Sequence, residues 1–361
     1  MMNTQMLVDE AIEALESQIN DTAIIACSGG IDSSVAAVLA HRAVGSLLHC
    51  VYVDTGFMRK GETEEVREMF AEMDIELKVV DASERFFHHL EGVTDPEHKR
   101  KVIGEQFIRV FEEEQANCGA KFLVQGTIAP DWIESGGGER DVIKSHHNVG
   151  GLPEDVDLII VEPLREFYKD EVRLIARELK IKSSERQPFP GPGLAVRVLG
   201  DLTRPRVEAC REACHIVEVR LREAAAEGKC EIPWQYFAAL LPVRSVGVHG
   251  DARVHGETIV VRAVTSLDGM SARYSEIPHD VLAGISTEIT NKLKGQVNRV
   301  VYDITHKPPG TIEWECATAP SFKHRLFLLK WQSLPTVQDS EVTTTTRFFH
   351  EGENRRRAGP T

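Results

Sequence analysis

The stretch Thr22-Ala23-Ile24-Ile25-Ala26-Cys27-Ser28-Gly29-Gly30-Ile31-Asp32-Ser33-Ser34 (residues 22–34) decides the fold. Thr22 to Cys27 is a short apolar run of strand length, the glycine pair Gly29 and Gly30 interrupts it, and the alanine-rich segment Val35 to Arg42 suits a helix. A strand that enters a helix through such a turn leaves unpaired amides and the positive end of the helix dipole at one point, which favours an anion. Glycine lets the backbone approach a phosphate, and the hydroxyls of Ser28, Ser33 and Ser34 add donors. Taken without their context, Gly29 and Gly30 also fit a tight turn with Ser28 as its cap.

Working outward, the same alternation repeats. The apolar run Leu47 to Val53 predicts a second strand, the charged stretch Lys60 to Met73 a helix, and Leu77 to Val80 a third strand. Glu105 to Asn117 predicts a helix before the strand Phe122 to Gln125, and the strand Leu158 to Val161 precedes a helix over Lys169 to Leu179. Upstream, Val8 to Ile19 reads as an amphipathic surface helix. Successive strand-helix units imply a parallel sheet, an α/β layer architecture to roughly residue 185, and ligands at the carboxyl ends of the strands. The run Pro188-Phe189-Pro190-Gly191-Pro192-Gly193 stops this pattern, because proline fixes φ and removes donors. Beyond it, a helix over Arg206 to Ala226 and strands at Val243 to Val248 and Ile259 to Val264 predict a smaller α+β domain reaching Glu315. After Glu315 the composition shifts to four consecutive threonines and an Arg-Arg-Arg ending, and this tail is expected to be largely disordered.

The 361 residues, 42% of them hydrophobic, suffice for two domains with a substantial core. A net charge of -14 argues against a nucleic-acid or anionic-membrane partner, so any phosphate must be gripped locally. The seven cysteines include no C-x-x-C pair, which predicts neither a disulfide framework nor a zinc ribbon and suits a reducing cytoplasm. The amino terminus carries acidic residues where a signal peptide needs a basic start, and no apolar window reaches transmembrane length.

The loop is not a Walker loop, since no G-x-x-x-x-G-K-S/T string occurs. Its S-G-G-x-D-S-S/T pattern instead resembles the pyrophosphate loop of the N-type ATP pyrophosphatases, which cleave ATP between the α and β phosphates. Within such a loop a carboxylate at Asp32 would be repelled by pyrophosphate unless a cation intervened, so Asp32 is read as a Mg²⁺ ligand. The residue alone equally fits a first-turn aspartate favoured by the helix dipole. Four further strings resemble the GMP synthetase family: Gln125 to Asp131, Ile143 to Pro153, Gln187 to Leu194, and Lys307 to Glu315. The resemblance runs in order from about residue 20 to 315 and matches the separate-subunit form. It implies a parallel-sheet ATP-pyrophosphatase domain (adenine nucleotide alpha hydrolase-like) over residues 1–187, a smaller α+β dimerisation and XMP-binding domain over 188–315, and an atypical tail over 316–361.

The resemblance also implies roles. Ser28, Gly29, Gly30, Ile31, Asp32, Ser33 and Ser34 would hold the phosphates of ATP, and Val53 and Gly126, at the ends of neighbouring strands, would sit beside adenosine. Lys144 would be a mobile lid lysine that stabilises charge at the attacked phosphorus; read singly it is a solvated surface lysine. Arg100, Asp251, Lys307 and Glu313 would contact XMP, with Pro190 to Gly193 shaping the base pocket, although each charge taken singly fits a surface position. His146 and His147 lack a partner at metal spacing, so no zinc is assigned. Ala129, Ala252 and the pair Gly256-Glu257 depart from the family pattern, as does the tail. The implied activity is ATP-dependent amination of XMP to GMP through an adenylyl-XMP intermediate, in a cytoplasmic homodimer. No cysteine has the glycine-flanked strand-to-helix elbow of a glutaminase, so ammonia is expected from a separate glutamine amidotransferase subunit. Two rivals are a tRNA-modifying pyrophosphatase, which calls for a basic surface and a reactive cysteine pair, and a nucleotide sensor that binds ATP and a purine nucleotide without turnover.

Overall fold

The computed structural model describes residues 4–130, 158–181, 187–267 and 269–315, leaving aside the side chain of His249. Helix α1 (Thr4–Gln18) buries Val8 and Leu15 against α2 (Ile31–Val44). Strand β1 (Ala23–Ala26) is apolar throughout, and Ala23, Ile24 and Ile25 are all buried, as a central parallel strand covered on both faces requires. Strand β2 (Leu48–Asp54), α3 (Glu62–Ala71), β3 (Leu77–Asp81), α4 (Ser83–His89), α5 (Pro96–Cys118), β4 (Phe122–Val124), β5 (Ile159–Val161) and α6 (Lys169–Glu178) follow. The five strands form one parallel sheet in the order β3-β2-β1-β4-β5. Chain order reverses at β1 and β4, the switch point where open parallel sheets hold ligands beyond their carboxyl ends.

Helix α5 starts nine residues before the predicted Glu105. Asp95 caps it by accepting from the His98 amide at 2.9 Å, Pro96 opens it, and Gly119 ends it in the left-handed region. Helix α4 is short and the sequence pattern does not mark it.

The second sheet is built on α7 (Arg204–Ala226), the long antiparallel pair β6 (Gln235–His249) and β7 (Ala252–Thr265), the short β8 (Arg273–Tyr274), α8 (His279–Lys292) and β9 (Val297–Tyr302), which pairs parallel with β7. The predicted strands are the carboxyl-terminal parts of β6 and β7, at opposite ends of the hairpin. The β6–β7 register slips between Leu241 and Arg244, where Pro242 lacks the amide a ladder needs. Helices α7 and α8 pack on this sheet, and one hydrophobic core runs from Ile24, Val51 and Phe57 of the first layer to Leu240, Val261 and Ile285 of the second.

The loop after β2 ties the two layers together. Arg211 of α7 donates to the carbonyls of Met58 at 2.9 Å and Gly56 at 2.6 Å, Leu194 donates to Phe57 O at 2.8 Å, and Arg59 donates to Gln187 O at 3.0 Å. From α5, buried Lys99 donates to Ala195 O, Val198 O and Gly200 O at 3.2, 2.7 and 2.8 Å. An ammonium has three protons, and all three are used.

Candidate active site

Strand β1 ends at Ala26, and the chain enters α2 through Cys27 to Gly30, with Gly29 at φ 74° in the left-handed region. The N-cap Gly30 offers no side-chain acceptor, so the first-turn amides of α2 have no intrahelical partner and face outward as donors. The serines hold the loop in shape. Ser33 Oγ lies 3.0 Å from Ser28 Oγ and accepts from the Ser28 amide at 3.2 Å, while Ser33 and Ser34 both donate to Gly30 O, at 3.1 and 2.8 Å. Gly126, just past β4, packs directly on this turn: a Cβ there would stand 2.9 Å from the Asp32 carbonyl carbon and 3.0 Å from the Ser33 amide. Only glycine permits that approach.

Asp32 is the charged member of the turn. Its Oδ2 accepts from Lys169 Nζ, at the first residue of α6, at 2.5 Å, and its Oδ1 is buried with no hydrogen-bond partner among the described residues. The sequence alone does not point to Lys169. Val53 is buried in the core near the end of β2, so only its backbone is available to a ligand. The expected adjacency of the Val53 and Gly126 strands is corrected: β1 lies between β2 and β4, and the two residues flank the loop from either side. Lys144, with Gly136 to Gly138, His146 and His147, lies outside the described residues.

A second constellation forms around the carboxyl-terminal motif. Glu313 accepts from Arg197 Nε at 2.9 Å and Nη2 at 2.7 Å, and from Gln235 Nε2 at 2.8 Å. Lys307 donates to Gly269 O at 2.8 Å, and its backbone bridges Ala272. Arg100 of α5 pairs with Glu97 at 2.7 Å and with Glu315, so three of the four expected XMP contacts touch or belong to the segment Lys307 to Glu315. Asp251 does not join them. It caps the β6–β7 hairpin, whereas Gln235, the partner of Glu313, begins β6. The 15 residues of β6 at ~3.3 Å each put about 45 Å between the two ends.

The carboxyl-terminal part of the chain, residues 222–314, matches the family model described as the GMP synthase C terminal domain, and residues 4–105 match the model described as NAD synthase. The B subunit of the glutamine-hydrolysing GMP synthase of Thermoplasma acidophilum is 51% identical over 314 residues, covering 87% of this chain and 100% of that protein. Its counterpart in Methanopyrus kandleri is 56% identical over 319 residues, again 87% of this chain and 100% of the relative. The chain belongs to the family of GMP synthase B subunits. A longer glutamine-hydrolysing GMP synthase from Caldicellulosiruptor saccharolyticus is 54% identical over 318 residues, and the chain covers 61% of it.

In this member of the B-subunit family, Cys27 precedes the loop and is buried. Burial, and then its neighbour Cys50, push the thiol well above its ordinary range, and the reactive species is the thiolate. No group of three or more acidic, His or Cys side chains forms a metal cage among the described residues. Among the described residues no helix is long and apolar enough to cross a membrane. Beyond Lys169, sequence reasoning misses Arg197, Gln235 and Arg262. Arg262 is fully buried and donates to the carbonyls of Thr305, Thr311 and Ile312 at 2.5, 3.0 and 3.4 Å, and it pairs with Asp303 at 3.2 Å. A charged residue inside an apolar strand is the one signal in the sequence that points to it.

Proposed function

We propose that this chain is the synthetase component of a two-subunit GMP synthase, aminating XMP at the expense of ATP with release of AMP and pyrophosphate. The observation that carries the reading is the Ser28 to Ser34 turn at the sheet's switch point, in a chain that covers its B-subunit relatives over their full length. The 2-carbonyl oxygen of XMP attacks the α-phosphorus and pyrophosphate leaves; ammonia then adds at C2 and AMP departs with that oxygen. No protein nucleophile takes part. In this scheme the chain's own groups position and neutralise, as such transfers require.

The first-turn amides of α2 bind the phosphates, held in shape by the Ser28 and Ser33 hydroxyls, and Val53 and Gly126 border the adenosine. The donor set fits Mg²⁺: Asp32 has one bonded and one unpartnered carboxylate oxygen, and this ion is commonly held by one or two carboxylates together with substrate phosphates. When bound, Mg²⁺ offsets the charge of the leaving pyrophosphate. Lys169 balances Asp32, and Lys144 is read as the lysine that closes on the phosphates.

For XMP, Arg100 and Lys307 supply positive charge to the 5'-phosphate and Glu313 accepts from the base or sugar. Given the hairpin geometry, Asp251 joins such a site from a second copy of the chain in a homodimer. The division at residues 187 and 188 follows the Pro188 to Gly193 run. Ammonia comes from a separate glutamine amidotransferase subunit, in the cytoplasm. Neither a silent sensor nor a tRNA-modifying enzyme accounts for full-length identity to GMP synthase subunits. The test is pyrophosphate release by the purified chain with ATP, XMP, Mg²⁺ and ammonium. Release that needs all four supports the reading; release without XMP, or none at all, opposes it.

A further inference from the structure

Two arginines are almost entirely buried beneath the Lys307 to Glu315 segment, and they do different things. Arg262 binds backbone carbonyls and Asp303, which fixes the path of the segment. Arg197 instead commits two donors to one side chain, the carboxylate of Glu313. Its guanidinium lies 4.1 Å from the centroid of the Phe237 ring and 5.0 Å from that of Phe189. Arg59 lies over the same Phe189 ring at 4.3 Å and donates to Gln187 O and Pro188 O at 3.0 and 3.4 Å. Gln235 completes the frame, donating both to Glu313 and to Pro188 O, the latter at 3.3 Å.

Packing alone does not require this arrangement. A buried ion pair is commonly replaced by apolar residues with no loss of stability, so its presence is not explained by a gain in folding energy. What a bidentate pair does supply is orientation, since two N–H···O bonds from one planar guanidinium, itself held over the Phe237 and Phe189 rings, restrict where the carboxylate sits. The Glu313 side chain is 16% exposed and that of Arg197 is 2% exposed, so Glu313 reaches the surface while its support does not. We infer that Arg197, seated by Phe189 and Phe237, is a positioning residue for XMP that acts by setting the Glu313 carboxylate, and that Phe189 links this setting to the loop after β2 through Arg59. This rests on the reading of Glu313 as an XMP contact.

The experiment is steady-state amination with ammonium, varying XMP and ATP in turn, for Arg197→Lys, Phe189→Leu, Glu313→Gln and the double variant Arg197→Lys with Glu313→Gln. Lysine keeps the charge and loses both the paired bonds and the stacking plane. Arg197→Lys is expected to raise the KM for XMP about tenfold while that for ATP moves less than about twofold. In the Glu313→Gln background the same change is expected to add less than about twofold, because its route of action is already gone. Equal rises in both KM values, or an Arg197→Lys effect as large without Glu313 as with it, would overturn the inference. A Glu313→Gln variant with an unchanged KM for XMP overturns the reading beneath it instead. If Arg197→Lys does not fold, Phe189→Leu, which keeps the ion pair and removes one ring, decides by the same two measurements.

Discussion

Asp32 and Lys169, 137 positions apart in the chain, meet at 2.5 Å where α2 and α6 both begin. Both side chains remain partly open to solvent, 29% and 40% exposed, so the pair adds little to stability. In the proposed mechanism its consequence is catalytic. Asp32→Asn and Lys169→Met are each expected to lower kcat by about 100-fold, the scale on which a fixed charge at a developing phosphate acts, with thermal unfolding almost unmoved. Turnover close to wild type in either folded variant would remove that residue from the proposed site.

The contact of Gly126 with the first turn of α2 makes a sharper test of the loop. A methyl group there meets backbone rather than a movable side chain, so Gly126→Ala must displace the Asp32-Ser33 peptide. The KM for ATP is expected to rise about tenfold with that for XMP little changed, since the displaced amides are the proposed phosphate donors. Kinetics identical to wild type would mean that the loop does not bind ATP in this form.

How much of the molecule is legible in its sequence varies with the physics of each element. Strands β1 and β2 are apolar runs because both their faces are covered, and runs of that kind stand out in a sequence. The full length of β6 does not: the predicted strand starts at Val243, because Pro242 breaks the ladder and separates it from the buried run Tyr236 to Leu240 that belongs to the same strand. Helix α8 buries Val281, Ile285 and Ile289 at helical spacing, but Gly284, Ser286, Thr287 and Thr290 among them weaken the helix signal. The loop residues are legible because they are contiguous. Lys169 and Arg197 are not, since an ion pair across 137 or 116 positions leaves no local spacing to read.

The position of Asp251 at the far end of β6 predicts complementation. Asp251→Asn and Glu313→Gln are each expected to impair XMP use when alone. Mixed and allowed to exchange subunits, they should recover about a quarter of wild-type sites, the share expected when half of the dimers are mixed and each carries one intact site. No recovery after demonstrated exchange would show that Asp251 does not act across copies.

Lys99 predicts a pH dependence of stability. Burial, and secondarily Arg206, pull its ammonium from 10.5 down to about 8, while Asp201 and Asp95 act in the opposite sense. Below pH 8 both folded and unfolded chains hold the proton. Between about pH 8 and 10.5 the unfolded chain keeps it and the folded chain loses it, so this group's contribution to stability rises with pH across that window and is lost as pH falls back through it. Urea unfolding of wild type relative to Lys99→Met should show that rise, at most ~1.4 kcal/mol per pH unit. A flat or falling difference across that window would contradict it.

The route of one oxygen atom tests the central claim most directly. XMP labelled with heavy oxygen at its 2-carbonyl is incubated with the purified chain, ATP, Mg²⁺ and ammonium, and the products are weighed by mass spectrometry. If the carbonyl oxygen attacks the α-phosphorus and leaves with it, each AMP formed carries the label and the GMP, matched to it mole for mole, carries none. Label released to water or found in pyrophosphate, with unlabelled AMP, would contradict an adenylyl-XMP intermediate in this protein.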